Sequence, residues 1–174
     1  MQKQYILTAE EMKRYDNNTS EIFRMPSLVL MERAALATVK ELCTLYPEPV
    51  SVLIAAGIGG NGGDGLAIGR LLAQKGYPVT FYVTGNRDKC SGETRRQLEI
   101  GKQYGYPILN QIPEMEYTIV VDALFGIGLS RALGQRDLET VRTLNQMGKR
   151  GSFLCAVDIP SGICAMRQNR RSGK

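Results

Sequence analysis

Four stretches of the chain are nearly continuous in apolar residues: VSVLIAA (residues 50–56), PVTFYV (78–83), YTIVVDALF (117–125) and SFLCAVDIP (152–160). They are rich in Val and Ile and lack the alternation of a half-wet strand, which predicts strands buried on both faces of a parallel sheet. A shorter run, YPILN (106–110), is a candidate fifth strand. Segments of helical length lie between them. DGLAIGRLLAQKG sets Leu66, Ile68, Gly69, Leu72 and Ala73 at helical spacings and stops at Gly76, with Pro78 just beyond. SGETRRQLEIGKQYG and QRDLETVRTLNQMGKRG follow the same pattern, with Ser91 as an N-cap and Gly105 and Gly148 as predicted ends. Strand alternating with helix predicts βαβ units with right-handed crossovers, helices covering both faces of the sheet.

Two further helical segments precede the first strand. TAEEMKRYDNNT opens with Thr8 and, three residues on, Glu11, the pattern of a capping box; PSLVLMERAALATVKELCTLY opens with Pro26 at a first helical position. In the second, Leu28, Met31, Ala35, Val39 and Leu42 form one apolar stripe, which suits core packing and is compatible with a homodimer face. The last segment, CAMRQNRRSGK, shows neither period and is expected to be a disordered basic tail.

Composition changes this picture little. At 174 residues, with 43% hydrophobic and 22% charged positions, the chain suits one ordinary globular domain. The formal charge of +5 comes mostly from Arg167, Arg170, Arg171 and Lys174, so it describes the tail and does not predict a nucleic-acid-binding face. Cys43, Cys90, Cys155 and Cys164 have no C-x-x-C spacing and read as reduced intracellular thiols. No stretch approaches the roughly 18 apolar residues of a membrane span, and the N-terminus lacks a signal-peptide core, so a cytoplasmic protein without membrane partners is expected. The absence of histidine matters most: any proton transfer falls to carboxylates, Lys, Tyr, Cys or water.

In an open parallel sheet, ligands bind beyond the carboxyl ends of the strands. Three strands here end in unusual loops, GIGGNGGDG, VDALFGIGLSR and VDIPSG, which should open on one edge. The first matches G-x-G-x-x-G at Gly57, Gly59 and Gly62 between a strand and a helix, a shape that brings backbone N–H groups to an anion. The second strand ends in YVTGN without the acid that an ordinary NAD site uses for the ribose, and no Lys follows the glycines as a P-loop requires. An ordinary nicotinamide-dependent oxidoreductase is therefore disfavoured. Asp122 and Asp158 each close an apolar run, where a carboxylate must be paired, hydrogen-bonded or bound to a cation. Asp64 stands where a helix N-cap is predicted, a place that also suits a ligand contact. Asn61 and Ser161 offer neutral oxygens which, with Asp122, could make an all-oxygen cation site; turn formation explains both residues equally well on local grounds.

These motifs in this order, GIGGNGGDGLAIGRLL, VVDALFGIGLSR and AVDIPSG, preceded by LMERAA, resemble the NAD(P)HX epimerase family, the YjeF N-terminal domain, over residues 8–163. The resemblance implies a Rossmann-like three-layer αβα sandwich with a mainly parallel central sheet. It implies interconversion of the R and S forms of hydrated NADH and NADPH at C6 of the nicotinamide ring, a repair reaction that feeds an ADP- or ATP-dependent dehydratase. It further implies a potassium ion held by Asn61, Asp122 and Ser161. Substrate would be bound by Gly60, Asn61, Gly62, Gly63 and Asp64, by Gly126, Ile127, Gly128, Leu129, Ser130, Arg131 and Ala132, and by Asp158. With no histidine available, Asp158 is the candidate acid/base, and a purely binding role for it stays open.

Two departures from the family pattern stand out. The family usually carries two adjacent asparagines before the paired glycines, and here the first is Gly60. Family members also continue beyond D-I-P-S-G with further strands, whereas this sequence passes into residues 164–174, so a domain over 1–163 with a shortened C-terminal end is expected. A non-catalytic binding or scaffold module of the same fold is the alternative reading.

Overall fold

A computed structural model describes residues 8, 11, 14, 15, 18, 19, 21–129 and 131–163. The regular elements run α1 (Ser27–Leu45), β1 (Val52–Ala56), α2 (Gly60–Gln74), β2 (Val79–Val83), α3 (Gly92–Gln103), β3 (Ile108–Leu109), β4 (Ile119–Ala123), α4 (Gln135–Lys149) and β5 (Phe153–Ala156), with a 3-10 turn at Arg87–Lys89. The five strands form one sheet in the order β3-β2-β1-β4-β5. Every pairing is parallel: Val52 opposite Val79 and Ile119, Phe81 opposite Ile108, and Asp122 opposite Ala156. The fold is a three-layer α/β sandwich, as the alternation of elements predicts.

Both faces of the sheet are covered. Val52, Ile54, Phe81, Val83, Ile119 and Val121 point to one face and pack on Met31, Ala35, Val39 and Leu42 of α1 and Leu66, Ile68 and Leu72 of α2. The apolar stripe of α1 is thus spent on the core. Leu53, Ala55, Tyr82 and Val120 point the other way, toward Leu144 of α4. Burying residues on both faces of a strand removes apolar area at roughly 25 cal/mol per Å², and β1 is buried at all five positions.

The strand order progresses outward in opposite senses from β1 and β4, with β1 leading to β2 on one side and β4 to β5 on the other, while all strands stay parallel. A crevice opens at this switch point, outside the carboxyl ends of both strands. Packing at the first crossover is tight enough to dictate glycine. A Cβ on Gly65 would lie 2.3 Å from Ala123 Cβ, and one on Gly69 would lie 2.5 Å from the Phe81 ring.

Several local readings need correction. The α2 helix begins at Gly60 with Gly59 as its N-cap, so Asp64 sits one turn inside the helix and does not cap it. The α4 helix runs through Gly148 to Lys149, and the chain turns at Gly151 with φ +110. Gly148 is instead a packing glycine, since a Cβ there would lie 2.6 Å from Leu154 Cδ1. The β5 strand is an edge strand, with Phe153 and Leu154 more than a third exposed, and is not buried on both faces. Pro26 precedes the first helical residue by one position. The remaining helix signals hold: Ser91 Oγ accepts from Thr94 N–H, Gly76 and Gly105 take positive φ just past α2 and α3, and Thr8 and Glu11 exchange hydrogen bonds. Residues 164–174, read as a tail, lie outside the described residues.

Candidate active site

The carboxyl ends of β1, β4 and β5 converge on a crevice of about 770 Å³, within the range of small-molecule sites. Its walls come from the α2 entry (Ile58, Gly59, Gly60, Asn61, Asp64), from the loop after β4 (Leu124 to Leu129 and Arg131) and from Val157 and Asp158 after β5. A larger cavity, about 940 Å³, lies at the amino ends of the strands near Ser51, Thr118 and Ser152, and none of the three glycine-bearing loops reaches it. Chemistry, not volume, marks the first as the candidate site.

The β4 loop is shaped by Asp122. Its Oδ1 accepts from Leu124 N–H at 3.3 Å, which ends the strand two residues before the apolar run does. The same carboxylate ties down the loop after β5: Ser161 Oγ donates to Oδ1 at 2.6 Å and Ser161 N–H donates to Oδ2 at 2.8 Å. Ser161 Oγ in turn accepts from Phe125 N–H at 3.0 Å, closing a knot between the loop after β4 and the loop after β5. Such a bidentate arrangement compensates a carboxylate half removed from water. Beside it, burial and the negative charge of Asp122 push the Cys155 thiol up from its ordinary value.

Asp158 is held differently. Its Oδ2 accepts from Ile127 N–H at 2.7 Å, across the crevice mouth, while the residue stays exposed. The contact requires glycine next door, because a Cβ on Gly126 would lie 2.4 Å from that oxygen. Arg131 leans over the Phe125 ring at 5.8 Å and, itself exposed, pairs at 3.1 Å with the largely buried carboxylate of Asp137.

In the first loop, the glycines have separable causes. Gly57 and Gly62 pack backbone on backbone, with Cβ positions 2.1 Å from Leu124 O and 1.9 Å from Gly57 O. Gly59 and Gly60 have nothing within 4 Å and are exposed along the crevice. The Asn61 amide Nδ2 is buried without a hydrogen-bond partner. At the end of β2, Thr84 is buried and Gly85, at φ +93, abuts Ile58. That corner, where an ordinary dinucleotide site keeps its ribose acid, carries no acid at Thr84, Gly85 or Asn86.

Nine of the residues singled out from sequence share the crevice: Gly60, Asn61, Asp64, Gly126, Ile127, Gly128, Leu129, Arg131 and Asp158. Asp122 and Ser161 are bonded to each other behind it; Gly62 and Gly63 are buried in packing, Ala132 is not among the lining residues, and Ser130 lies outside the described residues. Ala34, Ala35 and Thr38 of α1 also line the crevice; the sequence pattern marks Ala35 only as a core position and gives none of the three a place in the site. Their small size within a helix otherwise rich in Leu and Val was the available signal.

Comparison with known proteins bears on what this crevice is. A family model described as "YjeF-related protein N-terminus" matches residues 27–172. The chain belongs to this YjeF-related family. A protein named NAD(P)H-hydrate epimerase from Weissella koreensis is 42% identical over 160 residues, covering 91% of this chain and 71% of the relative. Proteins of the same name from Levilactobacillus brevis and Limosilactobacillus reuteri are 38% and 41% identical, with 91% of this chain covered in each case and 73% and 74% of the relatives. The crystal structure of the yeast protein YNL200c matches with TM-score 0.77 at 21% identity, covering 91% of this chain and 72% of the yeast chain, and attests the fold. The three loops of the crevice and the α1 residues Ala34, Ala35 and Thr38 all fall inside the family match.

Proposed function

We propose that the chain is an NAD(P)H-hydrate epimerase, interconverting the R and S forms of hydrated NADH or NADPH at C6 of the nicotinamide ring. The observation that carries the chemistry is Asp158: a carboxylate anchored through Oδ2 by Ile127 N–H at the mouth of a crevice whose other wall is the bare backbone of Gly59 and Gly60. In the substrate, C6 carries a hydroxyl next to the ring nitrogen. Its configuration is lost when the ring opens or the hydroxyl departs, and either path moves a proton to or from that oxygen. Asp158 is the positioned group for the transfer. Its protonated form donates to the hydroxyl as the C6–O bond breaks, releasing water and leaving a planar ring iminium, and the resulting carboxylate takes a proton from the water that re-forms the C6–O bond, so that either configuration results.

Potassium is the cation proposed for Asn61, Asp122 and Ser161. Its support is the donor chemistry: an amide oxygen, a carboxylate and a hydroxyl make a hard, all-oxygen set, and no cluster of three or more His, Cys, Asp or Glu occurs among the described residues to suit a softer metal. A half-turn of the Asn61 amide would bring its oxygen into the buried slot where Nδ2 lacks a partner. When bound, the ion supplies positive charge beside the crevice for an anionic dinucleotide. A dehydratase acting on one epimer is the proposed consumer of the product.

The test uses a mixture of hydrated NADH epimers. The protein should speed re-equilibration, and Asp158→Asn should lower kcat by about a hundred-fold or more while KM changes little. A raised KM with kcat retained would assign Asp158 to binding alone. No acceleration by the folded wild-type protein would overturn the proposal.

A further inference from the structure

The first turn of α2 is held from outside by α3, through residues that do not touch the crevice. Thr94 is fully buried, and its Oγ1 donates to Gly59 O at 2.7 Å while accepting from Ser91 Oγ at 3.0 Å. Ser91 N–H donates to the preceding carbonyl, Ile58 O, at 2.9 Å. Two consecutive carbonyls of the glycine loop are therefore gripped by one helix N-terminus. Gly59 O also accepts from Gly62 N–H at 2.9 Å and from Gly63 N–H at 3.3 Å, so it is the point from which α2 starts. As the N-cap, Gly59 has no side chain to do this work, and α2 shows no side-chain cap of its own.

The surroundings are built around the Thr94 contact. A Cβ on Gly63 would lie 3.0 Å from Thr94 Oγ1 and 2.7 Å from Met31 Cε, so a larger residue there would press on the Thr94 hydroxyl and make the Met31 side chain move. Ser27 Oγ donates to Glu93 Oε1 at 2.8 Å, tying the start of α1 to the start of α3. Gly59 and Gly60, by contrast, have open space where a Cβ would stand. Two consecutive glycines with open surroundings would sample many conformations without an external hold.

We propose that Thr94, seconded by Ser91, is a positioning residue for the candidate site. It acts through the Gly59 carbonyl to fix the direction of Gly60 and Asn61 toward ligand. Substrate contact by the loop itself belongs to the epimerase reading above, on which the kinetic arm of the test rests. The clamp is a separate claim about this chain's α3 and can fail independently.

The test compares Thr94→Val, which keeps the shape and deletes the hydroxyl, with Thr94→Ser, which keeps the hydroxyl. In Thr94→Val the KM for the hydrated dinucleotide should rise about five-fold or more with kcat within about two-fold, and Thr94→Ser should restore it. Amide hydrogen exchange supplies a readout that needs no activity. Exchange at Gly62 and Gly63, whose N–H groups donate to Gly59 O, should speed by about ten-fold in Thr94→Val while Val52–Ala56 stays unchanged. Unchanged local exchange, or an increase spread over β1 as well, overturns the proposal. So does an unchanged KM in an active enzyme. If wild-type protein does not epimerise at all, the epimerase reading fails, and the exchange comparison still decides the clamp.

Discussion

Removing one oxygen from the knot behind the crevice should cost more than its size suggests. In Ser161→Ala the lost Oγ takes away the 2.6 Å bond to Asp122 Oδ1 and leaves Phe125 N–H without its acceptor. Ser161 is 8% exposed, so water does not simply replace the hydroxyl. A hydrogen bond to a charged acceptor contributes about 1.5–3 kcal/mol, and a buried donor left unpaired costs about 1–3 kcal/mol. Two facts reduce the sum: Ser161 N–H still donates to Asp122 Oδ2 at 2.8 Å, and Phe125 is only half-buried. The net expectation is a loss of about 3 kcal/mol, or ~6–12 °C in Tm for a chain of this size. Urea unfolding with m held constant measures it. A double-mutant cycle with Asp122→Asn should show a coupling of about 1–2 kcal/mol. If Ser161→Ala lost less than about 0.5 kcal/mol, or if the two changes were additive, the knot would not be an energetic unit and the reasoning would be refuted.

The glycines should separate by cause. Gly62→Ala drives a Cβ to 1.9 Å from Gly57 O and should cost several kcal/mol, more than ~3, read as loss of soluble folded protein. Gly60→Asn, restoring the family's usual residue where a Cβ meets nothing within 4 Å, should leave Tm within about 2 °C and alter KM alone. The thiols give a chemical check. Burial pushes both Cys90 and Cys155 up from their ordinary values, so alkylation of these two at neutral pH should wait for unfolding; prompt labelling of either in native protein would contradict the packing. Burial, with Cys43 alongside, pushes the Tyr77 phenol up to about 12. The unfolded phenol ionises near 10, so the unfolded state releases its proton first and stability should fall between pH 10 and about 12. Tyr77→Phe should flatten that part of the alkaline unfolding profile.

The strands and their direction were readable because burial on both faces leaves an uninterrupted apolar signature, clear in β1 and β4. Strand β5 misled for the same reason: an edge strand can be as apolar as a central one, and periodicity does not see neighbours across the sheet. Glycine was the other source of error. Gly148 looked like a helix end and is a close-packing residue under Leu154, while the real turn falls at Gly151. The GIGGNGGDG loop placed the start of α2 too late, because glycines lower helix propensity and Asp64 offered itself as a cap. The helix nevertheless begins at Gly60, held by Gly59 O and α3. That tertiary hold overrides local propensity and was invisible in the loop's own residues.

The candidate site was legible in its carboxylates and not in its walls. Asp122 and Asp158 both followed apolar runs and so looked alike, yet the fold gives them opposite environments. Asp122 has both oxygens engaged by Ser161 and works as a fastener between two loops. Asp158 gives one oxygen to Ile127 N–H and stands exposed at the crevice. A carboxylate with both oxygens already accepting from fixed donors, two on Oδ1 and one on Oδ2, is poorly suited to carry a proton through a reaction and keeps one acceptor site on Oδ2 for a cation, whereas one anchored at a single oxygen keeps the other for the substrate. This difference supports the proton-transfer role proposed for Asp158, and leaves Asp122 as the residue that holds the two loops together. It also predicts that the two aspartates will fail in different ways, Asp122 variants through stability and loop order, Asp158 variants through turnover in a protein that still folds.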